Sequence, residues 1–423
     1  MADSKLVRVD GDVLMSGIVP SLPGAEPPLW VDGKNVVFRE RSIRPEPGQF
    51  SMLEKIEKSP VVGILETLVG GRPLLYWGTK DKIFEYDVSS VTPVVDRSRA
   101  GGYNGIQDAT DTQPQTRWSF VAWGNWIVAS NGIDPVQLFR PGVDTQFQDL
   151  TGVPFSPFKV EIILKVKQYL LAFNGDDPTD SASRFTFWWS DADDIFTWVS
   201  DPANTAGSLP IRDLPSPIVS AVPLGEGAGV YSTNTLHIVQ FIGTPFIFGA
   251  AHIVDGVGAV GKHSVVAVGR EHYGFGPRGI FRTDGTQVTY IDQPPIHEYV
   301  YGNFNRKHGS KVVAWLDPSL ERVVFFFPST GSNFNDRAVG YDYRNQTWHV
   351  PGFSRSAASF SSVFENPITG DVDGNLFQQS VEGIPLGGPR PLALNATFNL
   401  KGTGWGELGW GELGWGGETS GIG

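Results

Sequence analysis

The chain of 423 residues contains no cysteine. That excludes a disulfide framework, a thiolate metal site and a cysteine nucleophile. It is neutral as to redox compartment, because a thiol-free chain tolerates both states. Charge is scarce too, at 18% of residues, while aromatics reach 12% with 13 tryptophans and 27 phenylalanines. Disordered chains are poor in aromatics and rich in charge, so global disorder is excluded. Long segments of Ala, Glu, Lys and Leu are absent, and no amphipathic helix longer than about two turns is evident. No run approaches 18 apolar residues, so no membrane-spanning helix is expected. Met1-Ala2-Asp3-Ser4-Lys5 leads into no apolar stretch of the kind a secretory signal needs.

What is abundant is punctuation. The 51 glycines and 31 prolines make up about a fifth of the chain, where roughly 12% is average. Length alone suggests about three domains. Many short strands joined by Gly/Pro turns point to a sandwich, a barrel or a propeller. The net charge of −12, from 33 Lys+Arg against 45 Asp+Glu, makes a poor grip for phosphate backbones.

Residues 1–60 read as an N-terminal arm. Within it, Lys34-Asn35-Val36-Val37-Phe38-Arg39-Glu40-Arg41-Ser42-Ile43-Arg44-Pro45 reads as a strand, a charged turn and a second short strand that Pro45 ends. From 61 to 390 a coarse unit of strands and turns recurs, with a spacing on the order of 40–60 residues that overlaps a propeller-blade period. The units start at Val61, Trp118, Val160, Ile218, Ser264, Lys311 and, more weakly, Ala357. In the third unit the fourth strand is placed at Phe196–Val199. Asp284-Gly285 and Asp373-Gly374 are hairpin turn signals. An all-β propeller of about six to seven blades is therefore expected, with tandem two-sheet sandwiches as the competing architecture. Radial stacking covers faces that no single blade can bury.

Residues 391–423 are expected to supply a C-terminal closing strand and then a low-complexity tail. There Gly404-Trp405-Gly406-Glu407-Leu408 is repeated around Trp410 and Trp415. The glycines forbid a stable isolated helix. Three exposed indoles in water are unfavourable, so Trp405, Trp410 and Trp415 are candidate contacts, either with the chain's own propeller or with a neighbouring subunit.

Motifs that could carry chemistry resolve mostly into structural readings. Gly256-Val257-Gly258-Ala259-Val260-Gly261-Lys262-His263 nearly satisfies phosphate-cradling patterns. Those patterns need a following helix, and Ser264-Val265-Val266-Ala267-Val268 reads as a strand, so a Gly-rich inter-blade connection is expected. The seven histidines, His237, His252, His263, His272, His297, His308 and His349, form no H-x-H or H-E-x-x-H pair. Asp371, Asp373 and Asn375 resemble a calcium loop in spacing, but its sixth position is Leu376 where the sharp turn needs Gly, so a hairpin turn is expected. Trp188-Trp189-Ser190-Asp191-Ala192-Asp193-Asp194 faintly resembles a sialidase-type Asp-box without its Gly. Core and turn roles are expected there. No catalytic residue, metal ligand or cofactor is assigned.

Several of these segments resemble one family. They are Asp32-Gly33-Lys34-Asn35-Val36-Val37-Phe38-Arg39 leading to Arg44-Pro45-Glu46-Pro47-Gly48; Val230-Tyr231-Ser232 through Leu236–Phe246; Gly258–Gly261 with Arg278–Gly285; and Ala314–Asp317 through Tyr341–Trp348. Over roughly residues 30–380 the chain resembles the tail nozzle, or packaged-DNA stabilisation hub, of short-tailed bacteriophages. The resemblance implies a virion protein assembled in the host bacterial cytoplasm, a β-propeller subunit, and a six-fold ring below the head–tail connector that helps retain packaged DNA. It implies a head–tail adaptor and tail fibre or needle proteins as partners. Double-stranded DNA would lie in the lumen without sequence-specific contact. It implies no catalysis. The acidic balance then suggests a mildly repulsive channel wall. The alternative from the residues alone is a propeller enzyme or lectin acting on glycans, with aromatic blades stacking sugars and two carboxylates facing across a pocket.

Overall fold

The computed structural model describes residues 29–34, 36–39, 42–53, 56–105, 116–359, 363–381 and 393–397. Their strands form a seven-bladed β-propeller. Blade 1 runs Gly63–Val69, Arg72–Gly78, Ile83–Asp87, Val94–Asp96; blade 2 runs Ser119–Trp123, Trp126–Ser130, Gln137–Phe139, Gln148–Asp149. Blade 3 is Val160–Val166, Tyr169–Gly175, Thr186–Trp189, Gly207–Pro210. Blade 4 is Ser220–Leu224, Gly227–Tyr231, Thr235–Gly243, Ile247–Asp255. Blade 5 is Val265–Val268, Glu271–Phe275, Ile280–Thr283, Val288–Tyr290. Blade 6 is Val313–Asp317, Arg322–Phe327, Arg337–Asp342, Thr347–His349. Blade 7 takes Ala357–Ala358, Ile368–Gly370 and Leu376–Val381 from the end of the chain and its outer strand, Gly48–Leu53, from the beginning. The first strands of successive blades touch in a closed cycle, blade 7 returning to blade 1. The helix α1, Pro294–Tyr301, lies in the connection between blades 5 and 6.

The continuous apolar runs in the sequence follow from this stacking. Strand side chains alternate between faces, and in a propeller both faces of a blade meet a neighbour. In Arg322–Phe327, Val323, Phe325 and Phe327 join the apolar cluster shared with blade 5, whereas Val324 and Phe326 join the one shared with blade 7. In blade 3, Leu171 and Phe173 face blade 4 while Leu170 and Ala172 face blade 2. Each of the seven interfaces has its own cluster. The one between blades 6 and 7 is small and is supplemented by buried charge.

Four expectations are corrected. The chain's length suggested several domains, yet one propeller spans residues 48–381. The arm does not end at residue 60, because Gly48–Leu53 completes blade 7; without it, Leu376–Val381 would present an unpaired edge. The expected C-terminal closing strand does not close the propeller: Ala393–Thr397 pairs instead with Leu29–Lys34, outside the blades. In blade 3 the fourth strand is Gly207–Pro210, not Phe196–Val199. Asp194 accepts from the Phe196 amide (2.8 Å) and the Thr197 hydroxyl (2.7 Å), which bends that segment into a turn. The turn delivers Trp198 into the cluster between blades 2 and 3. The hairpin expected over 34–45 is present as Val36–Arg39 against Ser42–Pro45. It buries Val36, Val37 and Phe38 and packs beside the outer strand of blade 6.

Candidate functional site

The residues that lead into the innermost strands converge at one end of the propeller axis. Arg117, just ahead of blade 2, reaches the far side of the ring. Its Nη1 donates to the Ser356 carbonyl of blade 7 (2.7 Å), its Nη2 to Lys311 (2.7 Å) and its Nε to Ser310 (3.2 Å), both ahead of blade 6. Lys262, ahead of blade 5, crosses in the opposite sense: its Nζ donates to the Arg117 carbonyl (2.7 Å) and pairs with Glu161 of blade 3 (2.9 Å). Blades 2 and 6 are as far apart as two blades of seven can be. These side chains therefore fill this end of the axis.

The electrostatics follow from burial. Desolvation lowers the Arg117 pKa to about 10. It lowers Lys262 as well, with Glu161 opposing and Arg117 adding to the effect. His263 is pushed well below the usual histidine range by burial, Arg117 and Lys262, so it is neutral at neutral pH. Lys311 donates to the Asn333 carbonyl (2.6 Å) and lies over the Phe334 ring, and Asn335 Nδ2 ties the Lys311 and Arg355 carbonyls together. Arg355 donates to Thr369 and to Gln49 of the closing strand. The cluster joins blades 2, 3, 5, 6 and 7 through charge-assisted bonds. The net charge of the chain gave no sign of a cationic axial mouth.

A second feature lies between blades 4 and 5, where a cleft of about 730 Å³ is lined by Leu224, Ile238, Phe241 and Ile253 and by Glu226, Glu271 and Asp284. All three carboxylates have partners. Glu226 pairs with Lys167 (2.9 Å), and Glu271 pairs with Arg282 (2.9 Å). Asp284 accepts from the Gln287 and Thr286 amides and the Thr286 hydroxyl, which lowers its pKa to about 2. A carboxyl so strongly ionised cannot serve as a general acid. Beside the cleft rises the hairpin Thr235–Gly243/Ile247–Asp255, whose nine-residue strands are the longest in the propeller. Ile242 (56%) and Phe246 (72%) are exposed at its tip.

The motifs singled out from sequence are dispersed. Gly256–His263 connects blades 4 and 5 and is followed by the strand Val265–Val268, as expected. A Cβ on Gly258 would stand 2.3 Å from the Thr233 backbone, so glycine serves close approach there. Asp371 accepts from the Asp373 and Asn375 amides (2.9 Å each) in a hairpin turn with Gly374 at φ +92°. Trp188 and Trp189 point into opposite inter-blade clusters, and Asp191 accepts from the Thr205 amide. His272 links blades 4 and 5, receiving the Tyr231 hydroxyl at Nδ1 and donating from Nε2 to the Pro223 carbonyl (2.8 Å each). His349 lies against Arg322 (2.8 Å), and His252 against Asp255 (3.1 Å). His237 packs edge-on to His252 with both ring nitrogens unpartnered, and His308 is buried. Among the described residues no group of three or more His, Asp or Glu is placed to hold a metal ion, and no helix is long and apolar enough to cross a membrane. Trp405, Trp410 and Trp415 lie outside the described residues. Sequence reasoning missed the axial cluster because its members lie far apart in the chain, Arg117 and Ser356 by 239 positions and Gln49 and Arg355 by 306.

No protein-family model matches the chain, and no curated sequence does. Among solved structures, it is similar to a virginiamycin B lyase from Staphylococcus aureus (TM-score 0.48, 8% identity, covering 77% of this chain and 97% of that one). It is also similar to a mitotic checkpoint complex (TM-score 0.49, 11% identity, covering 80% and 98%). At these identities neither likeness extends a function to this chain, and the seven-bladed architecture rests on its own strand pairing.

Proposed function

We propose that the protein is a structural subunit of a phage tail, a nozzle or hub component that assembles into a ring, expected to be six-fold, around a DNA conduit. The observation that carries the reading is the long blade 4 hairpin, which lifts Ile242 and Phe246 into solvent beyond the blades. Exposed apolar side chains on a paired hairpin that outreaches the other strands suit a contact between subunits or with an adaptor. The sequence resemblance supports the same reading, since its segments coincide with the arm hairpin, this blade 4 hairpin and blades 5 and 6. The axial cluster agrees with it: in such an assembly DNA would pass through the ring, not through the propeller's own axis.

Electron microscopy of the purified full chain tests the proposal. A hollow ring supports it; a monomer at micromolar concentration that binds glycans overturns it in favour of a propeller enzyme or lectin. The cleft between blades 4 and 5 is where that alternative would have to operate, and its carboxylates are already engaged. Deleting residues 402–423 tests the tail: unchanged ring assembly removes Trp405, Trp410 and Trp415 from the contact.

A further inference from the structure

The blade 4 hairpin, Thr235–Gly243 against Ile247–Asp255, has two unlike faces. One is fastened to blade 3. Phe241 and Phe248 pack on Tyr169 at 5.9 and 5.3 Å between ring centroids, and Phe248 also meets Trp189 at 5.5 Å. Lys167 Nζ lies 4.6 Å from the centre of the Phe241 ring. The other face turns toward blade 5. At its base a Cβ on Gly285 would stand 2.7 Å from Leu224 and 2.8 Å from Ile238, so the Asp284-Gly285 turn closes on these side chains. Farther out, Gln240 and Ile242 follow Ile238 by alternation, and both are exposed. A Cβ on Gly249 would stand 3.2 Å from Ile242 Cδ1, which places Ile242 over the facing strand. Between this face and blade 5 lies the cleft of about 730 Å³. Phe246 at the tip is 72% exposed and is not among the residues that line the cleft.

We infer that the cleft receives the blade 4 tip of a second copy of the chain, residues 243–246, with Phe246 entering between blades 4 and 5. The inference rests on the reading of the protein as a ring-forming subunit and names what its exposed tip touches. The charges agree with it. Residues 240–251 contain no Asp, Glu, Lys or Arg. The carboxylates of the cleft are satisfied within their own copy, Glu226 by Lys167, Glu271 by Arg282 and Asp284 by the Thr286 and Gln287 amides. A neutral occupant leaves these pairs intact, whereas a charged one competes with them. Leu224, Ile238 and Ile253 offer an apolar wall, and the exposed Arg270 suits an aromatic face. The volume is that of a pocket for a drug-sized molecule, enough for an aromatic side chain and the turn that carries it. Fastened to Tyr169 and Trp189, the hairpin holds Phe246 away from the cleft of its own copy, so the occupant comes from another. A knob and a socket on different parts of one subunit make a head-to-tail contact, which generates a ring when the rotation closes.

The absence of native cysteine makes disulfide trapping free of background. Full chains carrying Thr244→Cys at the tip and Thr286→Cys on the cleft wall are co-expressed, one with an affinity tag that sets it apart in mass. Under mild oxidation a tagged–untagged disulfide dimer is expected to form at least tenfold faster than from Thr244→Cys with Ser90→Cys, an exposed position on the outer turn of blade 1. Gln240→Trp fills the cleft from an exposed position; it should lower the ring fraction in mass photometry at least tenfold while circular dichroism reports an intact fold. Rings in which the tip couples no faster to Thr286→Cys than to Ser90→Cys overturn the inference, leave the ring reading in place and assign the tip to an adaptor. Rings that persist unchanged in Gln240→Trp overturn it too. A wild-type chain that forms no ring overturns both.

Discussion

Glu46 and Arg322 stand 276 positions apart in the chain and meet in a buried ion pair, with both side chains 1% exposed. Asp317 accepts from the Nε of the same guanidinium at 3.0 Å, and His349 Nε2 faces its Nη1 at 2.8 Å. Ser380 of blade 7 donates to Asp317 (2.7 Å). Burial works against the charge on Arg322, but Glu46 and Asp317 outweigh it and raise its pKa. The residue that precedes the closing strand is thereby fastened to blade 6, next to the blade interface with the small apolar cluster.

Removing the cation should cost most. Arg322→Ala leaves Glu46 and Asp317 buried without a counter-charge, and a loss of about 3–5 kcal/mol is expected. Glu46→Ala leaves Arg322 with Asp317, so it should cost less, and Glu46→Gln less again. Urea denaturation monitored by tryptophan fluorescence gives the ranking; equal losses for all three would contradict the assignment.

Arg117→Ala should destabilise the propeller by about 3 kcal/mol or more, because three carbonyls at a dry site lose a charged donor. Arg117→Lys should recover only part of this, since an ammonium is a point donor and cannot reproduce the guanidinium fork. Chemical denaturation of the two variants beside wild type decides it.

Stability should decline as pH falls below the ordinary histidine range. His272 is buried and its pKa is lowered to about 4 by desolvation, with the Pro223 bond opposing. His263 and His349 are lowered well below 6.5, in each case first by burial. A histidine with a depressed folded pKa is neutral in the native state while the unfolded chain takes up a proton. The stability it contributes is fully present above about 6.5 and is lost as pH falls toward the folded value. For His272 that difference is on the order of 3 kcal/mol. Thermal melts from pH 7.5 to 4.5 should show the fall, and His272→Gln should flatten it.

Ile242→Ser with Phe246→Ser should leave monomer stability within about 0.5 kcal/mol, because both side chains are exposed. The same pair should abolish ring formation measured by mass photometry. Rings of unchanged size from the double variant would remove the hairpin tip from the interface.

Much of the fold was legible in the residues. The units expected to start at Ser264 and Lys311 are blades 5 and 6, whose first strands begin at Val265 and Val313, and Asp284-Gly285 and Asp371–Asn375 form the hairpin turns their chemistry predicts. The errors share a cause. Phe196 and Trp198 look like strand residues, yet the side chain of Asp194 bends the segment and sends Trp198 into an inter-blade cluster. Gly48–Leu53 looks like part of an arm, because nothing local marks a strand whose partner lies more than 320 residues away. The axial cluster was illegible for the same reason: Arg117, Glu161 and Lys262 carry no common spacing.

By itself the sequence determined an all-β chain of repeated hairpins, since period-two alternation, β-branched and aromatic residues and Gly/Pro turns act over a few positions. Only the tertiary structure decided that the blades number seven, that the ring is closed by residues from its beginning, and that cations fill one end of its axis. Those outcomes depend on which distant surfaces bury each other and on how buried charges find counter-charges and carbonyls, and no local pattern encodes that.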